Sequence, residues 1–229
     1  SYIMDGVGSP DLIVDGYNSP HNFQLKPSHA KMLQNADLVI FVGEGIEEFL
    51  EKPLESIAKD AKKFALLEQS GFKKLKFREK NIFEEYDDHD DHDKKAKKKD
   101  DHDDHGHDDH GHGHGEYDPH IWLDPINAKA MIKKITKLLS KMDKENSSTY
   151  KSNSKKAIKE IDMMVKEIKS EMNKDLKFVV FHDAYQYFEN RFDISVLGAL
   201  TVNTDVLPGA EQLSEIREVI EHENVNCIF

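Results

Sequence analysis

Three histidines occupy positions from which an α/β protein can bind a metal ion. His21 and His120 each follow a proline, and His182 comes directly after the predicted strand at residues 176–181. Ligands of open α/β sheets bind beyond the carboxyl ends of strands, and a proline stiffens the backbone next to it. Three neutral imidazoles suit Zn²⁺, with a fourth position for a carboxylate or water. The pattern therefore predicts a zinc site; the alternative is that each histidine forms its own separate hydrogen bonds.

The sequence at residues 86–117 has a composition unlike the rest of the chain. Eight of the 13 histidines lie here, interleaved with aspartate and glycine, and the stretch is almost without apolar residues. Because it cannot bury enough apolar surface to offset chain ordering, we predict a disordered loop. Imidazole and carboxylate groups bind divalent transition metals, which favours a flexible collector or sensor of metal. A solvated acidic loop is the alternative interpretation.

The remaining candidate ligands carry weaker signals. His29 and His222 lie on predicted helices and are interpreted as solvated side chains. Cys227 is the only cysteine. A zinc site with two or more thiolates is therefore excluded, as is a disulfide within this sequence.

Alternating strand and helix patterns predict the elements that position these residues. The continuous apolar run at residues 38–42 is typical of a parallel strand buried on both faces, and the alternation as a whole indicates an α/β fold. Further strands are predicted at residues 11–15, 64–67, 176–181, 194–200 and 225–229. Helices are predicted at residues 28–35 with Ser28 as the cap, from residue 46 with an interruption near Pro53, at 128–142 and 148–173, and after Pro208 and Gly209.

The order of these elements predicts two lobes. An N-terminal α/β lobe covers residues 1–147 and contains the histidine-rich loop, a linking helix covers residues 148–173, and a C-terminal α/β lobe covers residues 174–229. The last strand ends at the final residue, so we expect the second lobe to be incomplete in this sequence.

Charge and hydropathy exclude two classes of partner. The formal net charge is −12 at pH 7, whereas a nucleic-acid binder needs clustered positive charge to meet phosphates. No apolar run approaches the length of about 20 residues that a membrane span requires. We therefore expect neither nucleic-acid binding nor direct membrane insertion.

Several motifs together resemble those of one family, the ZnuA-like periplasmic zinc-binding components of bacterial ABC importers, which are cluster A-I solute-binding proteins. The matching motifs occur in the order found in the family and span nearly the whole chain. They are Ser19-Pro20-His21, Leu25-Lys26-Pro27-Ser28, Ala36-Asp37-Leu38-Val39, the His/Asp-rich loop, Asp118-Pro119-His120-Ile121-Trp122-Leu123, Phe181-His182-Asp183-Ala184-Tyr185 and Leu207-Pro208-Gly209-Ala210.

This resemblance implies a fold, a site and a partner. The fold would consist of two Rossmann-like lobes with parallel sheets, joined by one long rigid helix, with the metal between them. His21, His120 and His182 would bind Zn²⁺, and a periplasmic monomer would deliver the ion to an inner-membrane ABC permease. A glutamate that some relatives carry before the first histidine is replaced by Pro20. Some zinc-binding members pair a cysteine at the position of Cys227 with one further along the chain.

Other functions stay open at this point. A protein that binds Mn²⁺ or another divalent metal is one alternative, although manganese-binding relatives carry glutamate in place of the third histidine, so His182 favours zinc. A zinc-buffering protein dominated by the loop is a second. A zinc hydrolase with three histidine ligands is a third, but the chain has no His-Glu-x-x-His helix and no evident general base. We therefore expect a binding protein and not an enzyme.

Overall fold

Parallel β-strands and long helices form the described part of the protein. The structure is a computed structural model that describes residues 2–16, 18–43, 45–78, 80–83, 116–202, 208–225 and 227–229. The predicted α/β class, with parallel sheets and a long helix, is confirmed. The predicted loop at residues 86–117 lies outside the described residues except at its last two positions. No helix in the described ranges has the length and apolar character needed to cross a membrane.

The first sheet contains two parallel strands, β1 (Leu38–Phe41) and β2 (Lys62–Ala65). Helix α1 (Pro27–Gln34) precedes β1, and a 3-10 helix (Glu48–Leu50) runs directly into α2 (Glu51–Ser56) between the strands. Within β1 only Val39 is buried and Ile40 is exposed, so the prediction that this run is buried on both faces is wrong. Apolar residues of these elements and of the segment before β2 form one buried cluster. The cluster contains Leu33, Val39, Leu50, Leu54, Ala58 and Ala61.

Two long helices connect the sheets along the chain. Helix α3 (Pro125–Met142) begins with Asp124 as N-cap, whose carboxylate accepts a hydrogen bond from the backbone N–H of Ile126. Helix α4 (Ser147–Glu171) packs on α3 and on the N-terminal 3-10 helix (Tyr2–Met4). Its ends lie within two residues of those predicted. The division of the chain into lobes on either side of this helix stays a prediction.

The second sheet contains three parallel strands in the order β4 (Gly198–Thr201), β3 (Phe178–His182) and β5 (Cys227–Ile228). Helix α5 (Gln186–Phe192) follows β3, and helix α6 (Ala210–His222) precedes β5. The buried residues of the central strand β3 are all apolar, because other side chains pack against both of its faces. Its two faces contribute to two clusters, one with Phe178, Val180, Val196 and Ala199 and the other with Val179, Leu197, Ile216 and Val219.

Several sequence-based expectations about elements are wrong in detail. Residues 11–15 form no strand. Ile13 packs on the first core cluster, but no strand in the described ranges pairs with this segment. Helix α1 begins at Pro27 with Lys26 as N-cap, so Ser28 is not the cap; the fixed φ of proline suits the first helical position. Pro53 does not interrupt α2, because it lies in the first turn, where its missing N–H is tolerated.

Other elements are shifted or were not predicted. Strand β3 extends to His182, so this histidine is the last residue of the strand and not the first after it. The seven-residue helix α5 was not predicted from the sequence. A helix of two turns gives little periodic signal, and its hydrogen bonds to distant residues stabilise it instead.

Candidate metal centre

Each of the three predicted histidines is held by a different kind of local structure. His182 ends β3, where it lies in register with Thr201 of β4. His120 precedes a 3-10 helix (Ile121–Leu123) as its N-cap. His21 lies in a turn, and its backbone N–H donates a hydrogen bond to Ser19 Oγ at 3.2 Å. A strand end, a helix start and a turn therefore supply one side chain each.

The structure brings these three side chains to one point. The ring centroids of His21, His120 and His182 lie 5.3 to 5.6 Å apart. One ring nitrogen from each lies within 4.8 Å of the others, and the Nε2 atoms of His120 and His182 are 3.4 Å apart. This is the one group of three or more His, Cys, Asp or Glu side chains in the described ranges that could hold a metal ion.

Asp118 fixes the ring of His120 from the side opposite to His182. Its Oδ1 atom lies 2.7 Å from His120 Nδ1 and also accepts the backbone N–H of His120 at 2.9 Å. Asp118 is completely buried. A neutral imidazole that donates its Nδ1 proton to this carboxylate presents the lone pair of Nε2 to the centre of the cluster. Such carboxylate–histidine pairs are the usual outer contacts of metal-binding histidines.

Two successive residues of α5 hold the Asp118 segment. Gln186 Nε2 donates to Asp118 Oδ2 at 2.6 Å and to the carbonyl of Lys76 at 3.0 Å. The hydroxyl of Tyr187 donates to the carbonyl of Asp118 at 2.8 Å and accepts the N–H of Leu75 at 2.9 Å. Burial raises the pKa of Tyr187, which keeps this hydroxyl protonated and able to donate. The segment before His120 is thus fixed to the helix that follows His182.

The surroundings of His182 keep its ring neutral. Burial, with a further contribution from His120 and His21, lowers the pKa of His182 to about 4. The next residue, Asp183, is also buried, and this burial raises its pKa to about 6 although the neighbouring guanidinium of Arg78 opposes the shift. Arg78 donates to Asp183 Oδ1 at 2.8 Å and to both carboxylate oxygens of Glu189 at 3.0 and 2.8 Å.

The other histidines in the described ranges lie away from the cluster. His29 Nδ1 accepts the backbone N–H of Lys26 at 3.1 Å, so it stabilises the start of α1 and is more than a solvated side chain. His222 is exposed and lies 3.0 Å from Glu223. The eight histidines of the predicted metal-collecting loop lie outside the described residues.

Of the residues that surround the three histidines, neither Asp118 nor Gln186 had a predicted role. Asp118 was available from the sequence, because an aspartate often accepts the backbone N–H two residues further on, as it does here. Gln186 gave no local signal, since its contact with Asp118 spans 68 positions of the chain.

Comparison with known proteins identifies the class and then the family. Two parallel sheets, long helices and a histidine cluster at the end of a strand define an α/β binding protein. The profile of the ZnuA family, zinc-uptake complex component A periplasmic, matches residues 1–229. The chain belongs to this family, so the resemblance inferred from its motifs is confirmed. The family consists of periplasmic solute-binding proteins and not of enzymes.

Two relatives show how far the similarity extends. A protein of Brucella abortus (strain 2308) named high-affinity zinc uptake system protein ZnuA is 43% identical over 239 residues, which cover 100% of this chain and 72% of the relative. A protein of the same name from Yersinia pestis is 35% identical over 231 residues, covering 99% of this chain and 70% of the relative.

Solved structures agree with the fold. A crystal structure of ZnuA has a TM-score of 0.70 at 20% identity and covers 97% of this chain and 73% of that one. A structure of TroA has a TM-score of 0.72 at 20% identity, covering 100% of this chain and 70% of that one. At this level of identity the likeness concerns the fold alone.

Proposed function

We propose that this protein captures Zn²⁺ in the periplasm through His21, His120 and His182 and delivers it to an inner-membrane ABC permease. The observation that carries the proposal is the convergence of three imidazoles, far apart in the chain, on one point. Zinc is the cargo of such a site. The remaining tetrahedral position is left to water or to a carboxylate.

The spacing of the ring nitrogens suits a zinc ion. With Zn–N bonds of about 2.0–2.1 Å and tetrahedral angles, two ligand nitrogens lie about 3.3 Å apart. The Nε2 atoms of His120 and His182 are 3.4 Å apart. These two ligands therefore need almost no movement to share an ion. A ring nitrogen of His21 lies within 4.8 Å of a ring nitrogen of each of the other two, at most about 1.5 Å beyond the tetrahedral spacing.

The protonation state of the ligands also favours binding. A metal ion competes with protons for imidazole nitrogen. Because the pKa of His182 is lowered to about 4, this ring is neutral at neutral pH and keeps a lone pair on one of its two nitrogens. The Nδ1 atom of His120 faces a carboxylate, which favours the tautomer whose Nε2 lone pair is free for the ion.

The names of the relatives support uptake over storage. The Brucella abortus and Yersinia pestis proteins are both named for a high-affinity zinc uptake system. All three proposed ligands come from one chain, so a single copy forms the site. We therefore expect a monomer both with and without zinc, as measured by light scattering.

Titration calorimetry with Zn²⁺ tests the ligand assignment. We expect each of His21→Ala, His120→Ala and His182→Ala to weaken the tightest binding event by more than about 100-fold, because each removes one of three ligands. His29→Ala and His222→Ala are matched controls whose rings lie outside the cluster, and they should retain the affinity of the unmodified protein.

Three further outcomes would contradict the proposal. Tight zinc binding that survives in all three variants would place the site elsewhere. A preference for Mn²⁺ over Zn²⁺ in competition binding would contradict the assignment of zinc as the cargo. Manganese favours oxygen ligands, so three nitrogen ligands should select zinc. Zinc-loaded protein that fails to stimulate ATP hydrolysis by the cognate permease in proteoliposomes would reject delivery.

A further inference from the structure

Gln186 connects two of the proposed zinc ligands without contacting either ring. It is the first residue of α5, four positions after His182, and is only 6% exposed. The two hydrogens of its amide nitrogen are directed to two acceptors, Asp118 Oδ2 at 2.6 Å and the carbonyl of Lys76 at 3.0 Å. Asp118 in turn contacts Nδ1 of His120 at 2.7 Å.

The contact constrains the orientation of the Asp118 carboxylate. A carboxylate held at one oxygen alone can rotate about its Cβ–Cγ bond, which changes the direction of its hydrogen bond to the imidazole. With Gln186 on Oδ2 and His120 on Oδ1, both oxygens have fixed partners. The ring of His120 is therefore held in the orientation that directs its Nε2 atom towards His182.

We propose that Gln186 is a positioning residue of the zinc site, which acts through Asp118 on His120 and thereby raises the affinity for zinc. The proposal rests on the function proposed above. An amide suits this role because it donates two hydrogen bonds without bringing a charge next to the buried carboxylate. Its place at the start of α5 ties the His120 segment to the strand that carries His182.

The first test removes the donor and keeps the length of the side chain. We expect Gln186→Met to raise the dissociation constant for Zn²⁺ by about threefold to tenfold, which is less than the 10- to 100-fold effect of losing a direct outer partner. A competition titration against a chromophoric zinc chelator measures this change. Asn190→Ala is the matched control: this amide lies one turn further along α5, is exposed and bonds Lys73 and the carbonyl of Gln186. Its zinc affinity should be unchanged.

A double-mutant cycle separates positioning through Asp118 from a general structural role. If Gln186 acts through the carboxylate, Gln186→Met should cost no further affinity in a protein that already carries Asp118→Asn. An equal loss in both backgrounds would overturn the proposal, because the effect would then reach zinc by another route. Gln186→Ala provides a second variant if the methionine protein does not fold.

The absorption spectrum of bound Co²⁺ provides a further measurement, which a change in protein stability alone would not alter. The absorption bands of bound Co²⁺ report ligand geometry, so we expect them to shift in Gln186→Met and not in Asn190→Ala. Unchanged bands and unchanged zinc affinity in Gln186→Met would overturn the proposal while leaving the site intact, provided that His120→Ala still abolishes tight binding. If His120→Ala also binds zinc normally, the proposed function fails as well.

Discussion

Replacing Asp118 by asparagine tests the proposed site with little change in shape. The carboxylate is completely buried and uses both oxygens: Oδ1 contacts Nδ1 and the backbone N–H of His120, and Oδ2 accepts from Gln186. Asparagine offers one oxygen and one donor group. If its oxygen faces His120, its amide nitrogen meets the donor of Gln186. If its oxygen faces Gln186, its donor meets Nδ1 of His120 and favours the tautomer that carries a proton on Nε2.

Either orientation weakens zinc binding. In the first, a buried donor loses its acceptor and the side chain is no longer fixed; in the second, the nitrogen that faces the metal is protonated and cannot bind it. Losing such an outer partner costs about 10- to 100-fold in metal affinity, which corresponds to about 1.4–2.7 kcal/mol of binding free energy. We expect Asp118→Asn to fall in this range.

The assay is competition for Zn²⁺ with a chromophoric chelator at neutral pH, with circular dichroism to verify folding. Asp124→Asn is the matched control, because Asp124 is an equally buried carboxylate that bonds Arg191 and caps α3 without touching a histidine. It should lower stability and leave zinc affinity unchanged. A folded Asp118→Asn protein that binds zinc within twofold of the unmodified protein would refute the reasoning about the His120 tautomer.

Three further predictions concern stability. Arg191→Met removes both hydrogen bonds of 2.7 Å to the buried carboxylate of Asp124, and should lower the free energy of unfolding in urea by about 2–3 kcal/mol. Gly198→Ala places a Cβ atom 2.6 Å from the carbonyl oxygen of Asn81, so overpacking should cost about 1–3 kcal/mol and lower the Tm. Burial raises the pKa of Glu47, so the native state binds this proton more tightly than the unfolded chain. Stability relative to Glu47→Gln should therefore fall as the pH rises from the usual carboxyl range through the raised pKa, and a pH-independent difference in urea unfolding would contradict this.

The elements that carry the site were predictable because their signals are local. The apolar run at residues 38–42 correctly predicts a strand, although only Val39 of β1 is buried. The spacing of apolar residues in α4 predicts a helix whose ends agree with the structure to within two residues. His182 is the last residue of such a strand, and His120 is the N-cap of a short 3-10 helix. Their convergence with His21 was inferred from the rule that ligands gather beyond strand ends and from family motifs, and the structure places the three rings together.

The rest depends on contacts between distant parts of the chain. Helix α5 is too short for its sequence to specify, yet Gln186 and Tyr187 hold it against the Asp118 segment through side-chain hydrogen bonds. Residues 11–15 have the composition of a strand but pack without a ladder in the described part of the protein. For α5 the partners lie far away in the sequence, and for residues 11–15 no strand of the described ranges pairs with the segment; neither fact can be read from local periodicity or spacing.

The same distant contacts explain why the cluster offers nitrogen and not oxygen to a metal. A carboxylate lies next to His182 and another lies two residues before His120, so the sequence alone permits a mixed set of donors. Asp118 is used by His120 and Gln186, and Asp183 is held by Arg78 at 2.8 Å. Neither joins the three imidazoles as a possible ligand. Because nitrogen-rich sets suit zinc and oxygen-rich sets suit manganese and magnesium, the hydrogen bonds that engage these carboxylates also favour zinc.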